Sequence, residues 1–310
     1  MAEEVIYANG DVVLIATKDD RTIRFRVNSG VLSCASTVFR AMLAGPFSEV
    51  QQLTSNGSVE VTVPDDPTIL GLLLRCMHFK ADILPEDMDS KAILQLAIVG
   101  DKYDCQRPLA LLASDWAQSV LEKSTRLNAI CPNGRSEMLT SAYLMRNKAL
   151  FKVASAKLVE LDEISQTTAG EHCAFLPDYV IFHLERSRNR LLNTYRRYFF
   201  EAVNFKCRQG GSHRDIDWLR RYLREHFTWM EAWTVARMKQ CRNTFLCDER
   251  TTASCFVKCK ECDHFQLPQE FVDHKALEEV EQDHGLCLDC CVAQTGDASR
   301  CKGDCVRWKT

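Results

Sequence analysis

Two short cysteine pairs carry the strongest chemistry in the chain: Cys259-x2-Cys262 and, 24 residues later, Cys287-x2-Cys290. Each pair can turn two thiolates towards one ion, and four thiolates at about 2.3 Å complete a tetrahedral zinc site. A closed set of this kind leaves no position for water, so zinc held by Cys259, Cys262, Cys287 and Cys290 is expected to be structural rather than catalytic. The spacing exceeds the roughly 15–20 residues of the common paired template. Cys247, Cys255, His264, His274, His284, Cys291, Cys301 and Cys305 share the same stretch. A second ion, using Cys301-x3-Cys305 with Cys255 or a histidine, stays open, as does the alternative of buried thiols without metal. The other cysteines, Cys34, Cys76, Cys105, Cys131, Cys173, Cys207 and Cys241, read as ordinary buried thiols.

The distribution supports metal over disulfides. Residues 1–206 hold five of the sixteen cysteines and residues 241–310 hold ten. The start, Met1-Ala2-Glu3-Glu4, is acidic where an export signal is basic, and the apolar run Ile69–Leu74 stops at Arg75. Neither secretion nor membrane spanning is supported, so the chain is expected inside the cell, in nucleus or cytoplasm, where thiols stay reduced.

With 310 residues, 46% of them apolar, 26% charged and a net charge of -3, the chain has the composition of a folded protein of two or three domains. A phosphate-cradling glycine loop, a His-Glu-x-x-His pair and a Gly-x-Ser-x-Gly elbow are all missing, and no Cys/His pair stands out as nucleophile and base. Residues 186–225 carry eleven Lys/Arg against four acidic residues, a local charge of +7, with Tyr195, Tyr198, Phe199, Phe200 and Phe205 interleaved. Such a stripe could meet phosphates, but a solvated helix face over an aromatic core is the favoured reading. Asn56-Gly57-Ser58 reads as a turn rather than a glycosylation site.

The elements that must position these residues follow from periodicity. Asp11–Ala16 is a short apolar run, and Thr22–Val27 alternates, placing Ile23, Phe25 and Val27 on one face; the polar Lys18–Arg21 between them predicts a hairpin. Ser36 is placed to cap a helix reaching Ala44, and Val59–Val63 alternates as a third strand. Asp66 with Pro67 predicts a helix start, continued by Ile69, Leu70, Leu73, Leu74 and Met77. Ser90–Tyr103 and Pro108–Leu121 supply two more helices, and Glu137–Leu161 reads as a single one. A long helix after Pro177 would carry Val180, Leu184, Leu191, Tyr195, Phe199 and Val203, and Asp215 would cap another.

The front of this pattern reaches a family. Gly10-Asp11-Val12-Val13-Leu14, Phe25-Arg26-Val27-Asn28, Val31-Leu32, Ser36–Leu43, Phe47-Ser48-Glu49 and Val61–Asp66, in that order and spacing, resemble a BTB (POZ) domain. Asp101-Lys102-Tyr103-Asp104-Cys105 followed by Trp116 looks like the continuation in the BTB-containing families of filamentous fungi, whose ending is also similar to Gly285–Cys290. Asn28 departs from the histidine that many animal BTB domains carry after the second strand. The resemblance covers about residues 8–122. It implies a small sheet flanked by helices that docks proteins, often by homodimerising, and in some relatives recruits cullin-type ubiquitin ligases.

The expected fold class is α+β: a BTB/POZ-like domain over 8–122, a mostly helical region over 123–240, and a small Cys-rich zinc module over 241–310. The expected function is a non-enzymatic protein-protein interaction adaptor, with partners that include a second copy of the chain. The alternatives are a substrate adaptor of a cullin-type ligase and a zinc-containing regulator binding DNA.

Overall fold

The computed structural model describes residues 2–44, 55, 57–80, 88–109, 132–161, 174–204, 221, 235, 238–239 and 285–292. The chain divides into two compact units: Met1–Ala154 with Ala169–Pro177 and Cys287–Thr310, and Ser155–Thr168 with Asp178–Leu286.

In the first unit, strands β1 (Ala2–Val5), β2 (Val12–Lys18), β3 (Arg21–Val27) and β4 (Val59–Val63) form one sheet in the order β1-β3-β2-β4. β2 and β3 are the predicted hairpin, antiparallel with Lys18 opposite Arg21 and Val12 opposite Val27. Its two turn residues, Asp19 and Asp20, both take positive φ, 48° and 62°, as a tight two-residue turn matching the strand twist requires. β4 runs parallel to β2 and keeps the predicted alternation, with Val59, Val61 and Val63 buried and Glu60 and Thr62 exposed. Period two decides which face is which, so one buried set fixes the register.

β1 was not visible in the sequence, because Val5 is the last residue of the strand Ala2–Val5 and its neighbours are polar or small. It pairs parallel with β3. Ion pairs from Glu3 to Arg26 (2.8 Å) and from Glu4 to Arg75 (2.7 Å) hold it.

The connection from β3 to β4, which flank β2 on opposite sides, carries α1 (Ser29–Ala35) and α2 (Thr37–Ala44). Asn28 caps α1, accepting from the Val31 amide at 3.0 Å. Ser36 caps α2 as expected: its Oγ accepts from the Phe39 amide (2.9 Å) and donates to the Tyr103 carbonyl (2.5 Å). α3 (Pro67–Met77) starts as predicted, with Asp66 accepting from the amides of Thr68 (2.8 Å) and Ile69 (3.4 Å). α4 (Ser90–Lys102) is capped by Asp89. α3 is buried around most of its circumference, and Gly71 lets it lie on Phe25: a Cβ there would stand 3.0 Å from the ring.

The structure corrects the single helix expected over Glu137–Leu161. Two helices occupy that stretch, α5 (Pro132–Leu144) and α6 (Lys148–Leu161). Arg146 takes φ 54°, the Asn147 amide donates to the Ala142 carbonyl (2.9 Å), and the Asn147 side chain then accepts from the Leu150 amide (3.0 Å). One helix is stopped by a left-handed residue and the next is capped directly behind it.

In the second unit, α7 (Asp178–Asn204) runs for 27 residues. Val180, Leu184, Leu191 and Tyr195 are buried as the periodicity predicts, joined by Leu192. The side chains of Phe199 and Val203, the helix expected from Asp215, and most of the one expected over Pro108–Leu121 lie outside the described residues.

Candidate interaction surface

The C-terminal end of α3 is built unusually. The His78 amide donates to Leu74 (3.0 Å), the Phe79 amide to Cys76 (3.2 Å) and the Lys80 amide to Arg75 (2.9 Å), closing the helix with a left-handed residue. Glycine normally fills that position, yet here it is Phe79, with φ 56° and a side chain left 88% exposed. Left-handed backbone costs an ordinary L-residue about 1–2 kcal/mol, and the exposed ring recovers little by burial.

His78, next to it, is buried between two backbone partners. Its Nδ1 lies 2.8 Å from the Leu74 carbonyl, and its Nε2 is met at 3.2 Å by the Asn28 amide, which donates. That pairing puts the ring proton on Nδ1. Burial pulls the His78 pKa below its ordinary value, and Lys80 pulls the same way. The ring of Tyr7 stands 6.3 Å from that of His78. Tyr7 and Val5 are both exposed. Three exposed apolar side chains, Val5, Tyr7 and Phe79, therefore sit on segments joined by the Tyr7–His78 contact and the Glu4–Arg75 pair.

Beneath the helices lies a buried polar cluster. Tyr103 donates its hydroxyl to Asp65 at 2.5 Å, Lys102 reaches both carboxylate oxygens at 2.8 and 2.9 Å, and the Tyr103 ring stacks on Phe39 with centroids 4.5 Å apart. Burial first, and Asp65 second, push the Tyr103 phenol far above its ordinary range. The Tyr103 phenol thus stays protonated near neutrality and serves Asp65 as a donor. The thiols nearby are equally quiet: burial raises Cys76 to about 11 and Cys105 to about 12. A thiol must ionise to attack, so neither is a nucleophile at neutral pH.

Of the predicted metal ligands, Cys259 and Cys262 lie outside the described residues, as does the side chain of Cys290. Cys287 is half-buried immediately ahead of α8 (Leu288–Val292), whose backbone includes Cys290. Among the described residues, no group of three or more His, Cys, Asp and Glu is arranged to hold a metal. Cys247, Cys255, His264, His274, His284, Cys301 and Cys305 also lie outside them. Cys291 is buried, and burial raises its thiol to about 12. Along α7, Arg186, Arg190 and Arg197 are exposed, while Arg188 and Arg196 are half-buried.

Sequence reasoning missed Phe79, the residue most out of keeping with its place. The available signal was slight: the helical apolar pattern after Asp66 gives out at Met77, and no glycine or asparagine follows to end the helix. Val5 and Tyr7 carried no signal, since their surroundings depend on contacts with distant segments.

Residues 7–119 match the family model of the BTB/POZ domain. β2, β3, β4 and α1 to α4 fall within those residues, which form a BTB/POZ domain, a protein-interaction module. No curated protein matches the chain. Among the described residues, no helix is long and apolar enough to cross a membrane.

Proposed function

We propose that this protein is a non-enzymatic adaptor whose BTB/POZ domain docks proteins, a second copy of itself included, through the face carrying Val5, Tyr7 and Phe79. A structural zinc at Cys259, Cys262, Cys287 and Cys290 orders the C-terminal tail. The observation that carries the docking reading is Phe79, an aromatic ring kept in solvent on backbone that favours glycine. A position that is both strained and exposed is costly to the fold alone, and such outliers cluster at functional places. Flanking Tyr7 adds a second aromatic ring with a polar tip, the residue type enriched in interface hot spots.

The test is sedimentation equilibrium of the full chain beside the Phe79→Gly variant. Wild type is expected to self-associate with rising concentration. The variant should associate at least about tenfold more weakly, the factor that corresponds to about 1.4 kcal/mol. In urea it should be more stable by up to about 1 kcal/mol, because glycine accepts the left-handed backbone. A wild-type chain that stays monomeric and retains no protein partner would overturn the reading. The zinc reading is supported by the sequence spacing, and native mass spectrometry of the purified chain checks it.

A further inference from the structure

We infer that His78 is a proton-operated latch on the docking face, an inference that rests on the docking reading above: the neutral ring holds Tyr7 and Phe79 in the arrangement that docks, and its protonation releases them. The ring is fastened to both aromatics. Phe79 is the next residue along the chain, and its left-handed turn follows a His78 tied twice to the Leu74 carbonyl, through its amide at 3.0 Å and through Nδ1 at 2.8 Å. Tyr7 lies against the imidazole with ring centroids 6.3 Å apart. The amides of Ile6 and Tyr7 both donate at 3.1 Å to the Arg26 carbonyl, two residues before the Asn28 whose amide meets Nε2.

A second proton must go to Nε2, because Nδ1 already donates to Leu74. There it faces the Asn28 N–H, donor against donor, in a place where the side chain has little access to water. Either the ring leaves or Asn28 shifts. The first frees the turn that keeps Phe79 on backbone disfavoured for a residue with a Cβ, and the second disturbs the strand end that fastens Tyr7. On the surrounding elements, Glu3 and Glu4 of β1 pair with Arg26 of β3 and Arg75 of α3, and Asp11 accepts from the amide and hydroxyl of Ser29. Tyr7 adds a phenol, Cys76 a buried thiol, and Lys80 an ammonium. Lys80 opposes the charged ring, as burial does, and among the described residues no carboxylate acts to favour it. Docking is therefore complete at neutral pH and weakens as pH falls through the His78 value, which lies below 6.5.

The test is sedimentation equilibrium of the full chain at about pH 7.5 and about pH 5, with circular dichroism to check the fold, beside His78→Gln, whose side chain offers one donor and one acceptor at every pH. Wild type should associate about tenfold more weakly at the lower pH, and His78→Gln should associate equally at both. Should the variant fail to fold, or the wild type unfold at the lower pH, proton uptake decides. Wild-type dimer diluted in a calorimeter at about pH 6, in two buffers of different ionisation enthalpy, should take up protons as it dissociates, and should take up none at about pH 7.5. Three results overturn the latch and leave the docking reading standing: equal wild-type association at both pH values, a wild-type pH dependence retained by His78→Gln, or dissociation at about pH 6 without proton uptake. A wild type that stays monomeric at neutral pH instead removes the second copy from the docking reading, and the latch with it.

Discussion

His78 is a neutral imidazole held by two backbone groups that its charged form could not both satisfy. Protonation at Nε2 would set an N–H against the Asn28 amide, in a place where burial already disfavours charge. The folded pKa lies below the unfolded one, so the unfolded chain takes up the proton first. Stability is therefore complete above the ordinary value of 6.5 and falls as pH drops from 6.5 towards the lowered folded value, below which this contribution is flat. Urea unfolding followed between neutral pH and mildly acidic pH should show the decline, and His78→Gln should flatten it within that window. An unchanged slope in the variant would assign the decline to other groups. Asp66, whose pKa is lowered, acts in a separate window below the carboxylate range. This residue was unreadable in the sequence, since His78 and Asn28 are 50 positions apart and only the fold brings them together. Ser36 and Asp66 were readable because a cap acts on amides two or three residues away.

The same contrast holds among elements. β3, β4, α3 and α7 announce themselves by period and β2 by its continuous apolar run, whereas β1 is held by the cross-chain pairs Glu3–Arg26 and Glu4–Arg75 and has neither mark. The α5–α6 break was hidden because apolar residues continue at helical steps across it. Its only local marks are Arg146 and Asn147, and Asn147 does the work of a cap. Asn147→Ala should cost about 1 kcal/mol in thermal or urea unfolding, the usual effect of losing such a cap. A larger role falls to the cluster joining α4 to the start of α3. Tyr103→Phe removes the donor to a carboxylate that is only 7% exposed while leaving Lys102 in place. Stability should drop by about 1–3 kcal/mol, the cost of stranding part of a buried polar group. Tyr103→Phe with wild-type stability would mean that Lys102 alone suffices for Asp65.

At the scale of the whole molecule, charge frames the test of nucleic acid as a partner. The chain carries a net charge of -3, and the +7 of residues 186–225 is a local excess within it. In α7, Tyr195 is buried with Leu191 and Leu192, and Arg186, Arg190 and Arg197 are exposed along one side; elsewhere in the stretch Arg221 is exposed as well. The three exposed arginines of α7 by themselves would give a salt slope of only about -3 on duplex DNA, with affinity in the non-specific range. Fluorescence anisotropy of a labelled short duplex should therefore register weak binding at low salt and none at physiological salt with micromolar protein. Replacing Arg186, Arg190 and Arg197 by Gln should abolish the low-salt signal while leaving self-association through the Phe79 face intact. A slope of about -6 or steeper, with binding that survives physiological salt, would require most of the eleven cations to face phosphates together, and the tail with its cysteine pairs would then have to be read as part of a DNA-binding surface rather than as a support for protein docking.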